Sequence, residues 1–185
     1  MAATMTLVGG LALWFAKRAA DRNRLQLRYF SAAEFGPYWP LMSVELLQKL
    51  DQFRHELGYP VQISPAFGAI GRPVIGEPDA AAESGADKSY HNYLIHGEVM
   101  AVDVMPVPKH GAATRAERER WLEVAQRVGF RGFGVYPGWK PRAGIHLDVR
   151  PVSALKPGQS MATWSGIRNP ETGKQEYLSV TAGLV

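Results

Sequence analysis

The apolar run Val99-Met-Ala-Val-Asp-Val-Met105 has a carboxylate near its centre, and Asp103 limits what this chain can fold into more than any other residue. A short Val-rich run of this kind predicts a β-strand. Strand side chains alternate, so Val99, Ala101, Asp103 and Met105 share one face. Burying a carboxylate there costs several kcal/mol unless a cation or a hydrogen-bonding partner meets it. The fold must therefore bring such a partner to Asp103. A second run, "GIHLDVRP" (144–151), sets His146 and Asp148 on one face, with Ile145, Leu147 and Val149 on the other. Upstream, "SYHNYLIHGEVMAVD" (89–103) adds His91 and His96. Two adjacent strands offering Asp and His, with one upstream His, make a His/Asp/His set. That is the donor set of a catalytic zinc site, where three protein ligands leave one position for water. For an isolated pair, a buried Asp–His hydrogen bond without metal is the commoner arrangement. Both patterns in one short chain favour the metal.

The rest of the chain supplies a frame for these strands. Ser43 is placed to cap a helix running to about Leu57, with Leu46, Leu47, Leu50, Phe53 and Leu57 on one face and Gly58 as its stop. "YPVQIS" (59–64) reads as a strand. Residues 65–88 are rich in Gly, Pro and Ala without periodicity, which predicts a long loop. A capping box, Thr114 to Glu117, opens a second helix that turns Trp121, Leu122, Ala125 and Val128 inward and stops at Gly129. "GFGVYP" (132–137) and 144–151 predict two further strands. The tail carries "TWSG" (163–166) and a turn-like "NPETGKQ" (169–175). The expected class is α+β, with a small antiparallel sheet flanked by helices.

At 185 residues the chain is most simply one domain with an appendage. It contains no cysteine, which excludes disulfides and thiolate chemistry and suits an extracytoplasmic or virion setting. A net charge of +4 and a pI near 9.4 favour polyanions, whether nucleic acid or a cell wall. The basic residues are scattered with no aromatic-interleaved stripe, so no nucleic-acid role is expected. Residues 5–16, "MTLVGGLALWFA", are apolar and are followed by a basic stretch. The run is too short to span a bilayer, and its charge lies on the wrong side for a secretory signal. Residues 1–28 are therefore read as a separate segment. It is either a helix docked on its own domain or an anchor set into other protein subunits or a membrane surface.

Taken in order, these pieces resemble a known family. "FSAAEF" (30–35), "LLQKLDQFRHELGYPVQIS", "SYHN…GEVMAVDV", "GFGVYPGW", "GIHLDVRP" and "TWSG" follow the sequence of parts in the M15 zinc peptidases, the D-alanyl-D-alanine carboxypeptidase group. The resemblance covers roughly residues 29–166. It implies the Hedgehog/DD-peptidase fold for residues 29–185 and a bound Zn²⁺. The implied metal ligands are one histidine of 89–96, Asp103 and His146. The Ser-x-His context selects His91, whereas the family's usual spacing to the aspartate selects His96.

Two positions depart from the family pattern. The catalytic acid that many members carry three positions before the last histidine is here Ala143, which leaves Asp148 as general base or as a group that orients a ligand. The family's substrate arginine is blurred in "SPAFGAIGR", with Arg72 as its replacement. Tyr136 and Trp139 are expected to shape the substrate cleft. The resemblance implies hydrolysis of peptide bonds in peptidoglycan, as in phage endolysins and carboxypeptidases. A virion, phage-tail or cell-envelope location would follow. The competing expectation is a structural or wall-binding tail protein of the same fold that cuts nothing.

Overall fold

The computed structural model describes Lys17 and residues 20–22, 24–72 and 89–184. The apolar run 5–16 and most of the loop 65–88 lie outside the described residues. Two helices dominate: α1, Val44–Leu57, and α2, Arg115–Val128. Ser43 is the N-cap of α1 as expected, although its side chain makes no capping hydrogen bond, and Gly58 ends the helix in the left-handed region at φ 72°. In α2 the box is half closed. Thr114 accepts from the Glu117 amide at 3.3 Å, but the Glu117 carboxylate turns away to accept from the Tyr59 hydroxyl at 2.6 Å. That hydroxyl also receives the indole N–H of the fully buried Trp121, so the polar atoms at this helix contact are satisfied.

Both helices lie on one face of a six-stranded sheet. Its strands are β1 (Val61–Ile63), β2 (Ala101–Pro106), β3 (Gly132–Tyr136), β4 (Gly144–Asp148), β5 (Ala162–Arg168) and β6 (Gln175–Leu178). Their order is β1-β2-β4-β3-β5-β6. The expected antiparallel sheet is corrected here to a mixed one, because β3 and β5 pair in parallel. The chain leaves β3, returns antiparallel as β4 on one side, then crosses to lay β5 along the other side. The segment 169–175, read from sequence as a turn, connects β5 to β6, an exposed edge strand.

Alternation splits the sheet into two chemically different faces. Val102 and Val104 of β2, Ile145 and Leu147 of β4 and Phe133 of β3 join Leu46, Leu47, Leu50 and Phe53 of α1 and Trp121, Val124 and Ala125 of α2 in the core. The opposite face carries Asp103, His146, Asp148, Gly132, Gly134, Tyr136 and Trp164. Gly132 and Gly134 matter because their neighbours lie flat across them. A Cβ at 132 would collide with the Asp148 carboxylate, and one at 134 with the Trp164 indole. Position 132 pairs with Asp148 and 134 with His146. The glycines form a bare floor beneath the polar groups of β4.

Candidate metal centre

Cross-strand pairing of Asp103 with His146 sets these two side chains side by side on the polar face. The third member arrives from outside the sheet. Beyond β1 the chain leaves its strand, yet still bonds β2: the Asp103 amide donates to the Ala69 carbonyl at 2.8 Å. The next carbonyl, Ile70 O, lies 3.0 Å from His91 Nδ1, and the Arg72 amide donates to the His91 carbonyl. One loop thus fixes both Asp103 and His91. His91 Nε2, Asp103 Oδ1 and His146 Nδ1 converge on a common point, with separations of 3.2, 3.3 and 2.9 Å. Ligands about 2.0–2.2 Å from a tetrahedral metal stand roughly 3.3–3.6 Å apart, so the cluster is close to metal-binding dimensions.

Proton placement makes the same point. Ile70 O can only accept, so His91 Nδ1 carries the hydrogen and Nε2 presents a lone pair. His146 Nε2 lies 3.1 Å from Asp148 Oδ2 and donates to it, which leaves Nδ1 facing Asp103. Two imidazole lone pairs and a carboxylate oxygen then point at one another with no donor between them. Such an arrangement needs a cation at its centre, either a proton or a metal. Without metal the answer is a proton. Burial works against a charged imidazole, but hydrogen bonds to Asp103 and Asp148 outweigh it and raise His146 to about 9. Burial likewise opposes charge on Asp103, yet His91 and His146 hold its carboxyl far below the ordinary range. The residues fit a divalent ion: each histidine has its outer nitrogen fixed by an oxygen acceptor, the arrangement that orients imidazole ligands. Asp103 and His146 are buried, with 6% and 8% exposure.

Asp148 sits on the same face as His146 and behind its imidazole. Its carboxylate is fully buried, Oδ1 accepts from the Arg150 amide at 3.1 Å and Nε at 2.8 Å, and Oδ2 accepts from Arg150 Nη2 at 2.5 Å and from His146. Four donors fill its lone pairs, and no oxygen is left to take a proton from water. Of the two roles expected of Asp148, this geometry favours the orienting one: it holds His146 in its tautomer. His96 does not join the cluster and stacks on Tyr90 with ring centroids 4.6 Å apart. Ala143, in place of a catalytic acid, packs half-buried against the core. Arg72 reaches the rim, its guanidinium 3.9 Å from Asp103 Oδ2. Tyr136 and Trp139 stack on each other, centroids 4.1 Å apart.

Sequence reasoning missed Arg150, Trp164, Tyr90 and the Ile70 carbonyl. Arg150 was within reach, since alternation places 146, 148 and 150 on one face. Its guanidinium lies between the Tyr90 and Trp164 rings, 4.9 and 5.4 Å from their centroids, while Trp164 also flanks His146 at 5.2 Å. No protein-family model, curated protein or solved structure matches the chain. Among the described residues no helix is long and apolar enough to cross a membrane.

Proposed function

We propose that this chain is a zinc-dependent peptidase that hydrolyses peptide bonds of peptidoglycan, in the manner of the M15 peptidases its motifs resemble. The observation that carries the reading is the convergence of His91, Asp103 and His146, three buried acceptor atoms with no donor among them. The two-histidine, one-carboxylate donor set suits zinc, and three protein ligands with an open position suit catalysis over structure. When bound, such an ion acidifies water and polarises a carbonyl. The chain's own residues do the rest. Ile70 and Asp148 fix the two imidazoles, Arg150 neutralises Asp148, and Arg72 stands at the rim where an anionic substrate group would approach. The basic balance of the chain favours an anionic wall, and a virion or envelope setting belongs to the same proposal.

A second reading has an observation of its own. With Ala143 in the acid's position and every lone pair of Asp148 occupied, neither residue serves as a base. The fold could then bind wall without cutting it, as a structural tail component does. Incubating the zinc-loaded protein with purified peptidoglycan of several stem-peptide chemistries separates the two. New amino or carboxyl termini, abolished by a chelator and restored by zinc, are expected of the peptidase. Sedimentation with the wall and no new termini would instead establish the binding module.

A further inference from the structure

Tyr136 has a polar atom that the fold leaves half used. Its side chain is 7% exposed, and its ring is clamped between Trp139, with 17° between the ring planes, and the backbone at Gly166, where a Cβ would collide with it. The Trp164 indole N–H donates to its oxygen at 2.9 Å. The phenol's own hydrogen finds no acceptor among the described residues. Buried tyrosine hydroxyls ordinarily find a partner, so an idle one calls for a ligand.

Its surroundings say where that ligand sits. Tyr136 shares the polar face with His146, since it pairs with Gly144, two residues before that histidine. Burial raises its pKa well above the ordinary range, Asp103 raises it further and Arg72 lowers it. Trp164 ties the hydroxyl to the centre, its indole donating to Tyr136 at 2.9 Å and its ring lying 5.2 Å from that of His146, and the phenol keeps its proton at neutral pH.

We propose that Tyr136 is a catalytic hydrogen-bond donor whose O–H meets the carbonyl oxygen of the amide bound at the metal centre. This rests on the peptidase reading. The nucleophile would be hydroxide, the water having lost its proton to solvent under the ion's acidifying effect. As its oxygen lone pair bonds to the carbonyl carbon, the C=O π pair moves onto oxygen. Tyr136 donates a hydrogen bond to that oxyanion without giving up its proton. Trp164, by occupying the hydroxyl's lone pair, turns the hydrogen outward. The clamp between Trp139 and Gly166 means that little has to reorganise during reaction, the condition under which such donors act most strongly.

The test uses the zinc-loaded full chain and a phosphinic dipeptide, whose tetrahedral P–O⁻ group imitates the oxyanion. Tyr136→Phe keeps the ring stack and removes only the hydroxyl. It should retain its metal and lose about 10²–10³-fold in phosphinate affinity, with a matching fall in kcat wherever hydrolysis is seen. A phosphinate affinity equal to wild type overturns the proposal even if the protein is a peptidase. A weakened affinity in a protein that cuts no wall overturns the peptidase reading and with it the catalytic role, leaving Tyr136 as a donor to a bound ligand only. Should the variant fold poorly, a structure of wild type with the phosphinate decides: an inhibitor oxygen within about 3.1 Å of Tyr136 Oη supports the donor. An inhibitor bound elsewhere, or not bound at all, overturns it.

Discussion

Asp103 and Asp148 stand on one sheet face, in neighbouring strands and two residues out of register, and both are buried carboxylates held ionised. They differ in the cation that answers them. Asp148 has a permanent one, since Arg150 grips it with two side-chain bonds from only two residues away. Among the described residues, Asp103 has no permanent cation at hydrogen-bond distance. Its neighbours are two imidazoles, and Arg72 at 3.9 Å is too far for a direct bond. A carboxylate paired with arginine is finished structure. One paired with imidazoles whose protons can leave is a place where the cation can be exchanged.

The sharpest way to break this contrast is to neutralise each carboxylate in turn. Asp103→Asn should leave a chain that retains no zinc through dialysis, measured by mass spectrometry, because one of three ligands is gone. Asp148→Asn should still take up zinc but with about 10–100-fold weaker affinity, as for other groups that orient an imidazole ligand. Equal losses would show that Asp148 is itself a ligand.

Varying pH should produce a smaller change with opposite signs in the two forms. Folding raises His146 from 6.5 to about 9, so in the metal-free protein its contribution to stability is complete below pH 6.5. That contribution, at most a few kcal/mol, disappears as pH rises through about 9. Zinc affinity should climb over the same window, since the metal must displace that proton. Denaturant melts with and without zinc, across that range, provide the check. A flat metal-free profile would mean that no proton occupies the centre.

Gly134→Ala probes the floor rather than the charges. Its methyl group would force the Trp164 indole aside, and overpacking of this kind costs about 1–3 kcal/mol. The smallest effect belongs to His96→Ala, which should leave zinc content unchanged and cost about 0.5–1.5 kcal/mol through its lost stack on Tyr90.

How much of this could be read in advance depends on where each feature resides. The buried strand with Asp103, the same-face pair His146 and Asp148 and the two amphipathic helices are local patterns, and alternation or helical spacing exposes them. His91 was favoured over His96 only by its Ser-x-His context, since the spacing to Asp103 pointed the other way and the loop that delivers His91 leaves no local pattern. The Ile70 carbonyl was invisible, since every residue has one and only the path of the loop aims it. The parallel pairing of β3 with β5 was likewise hidden: it depends on how the chain crosses after β4, which no hydrophobic pattern in β5 specifies. Choosing between the base and orienting roles of Asp148 needed one further step of alternation, to Arg150.

The three converging groups come from positions 91, 103 and 146, so nothing resembling this centre exists in the unfolded chain. His146 meets Asp103 only after β4 has paired with β2, across 43 residues, a long closure that must be completed before it is rewarded. An ion that binds the assembled centre and ignores the open chain draws the folding equilibrium with it. At a free concentration a hundredfold above its Kd it would add about 2.7 kcal/mol. Against the marginal stability of an ordinary domain, that is a sizeable share. If the centre takes an ion as proposed, the lifetime of this protein would track the supply of that ion in its surroundings.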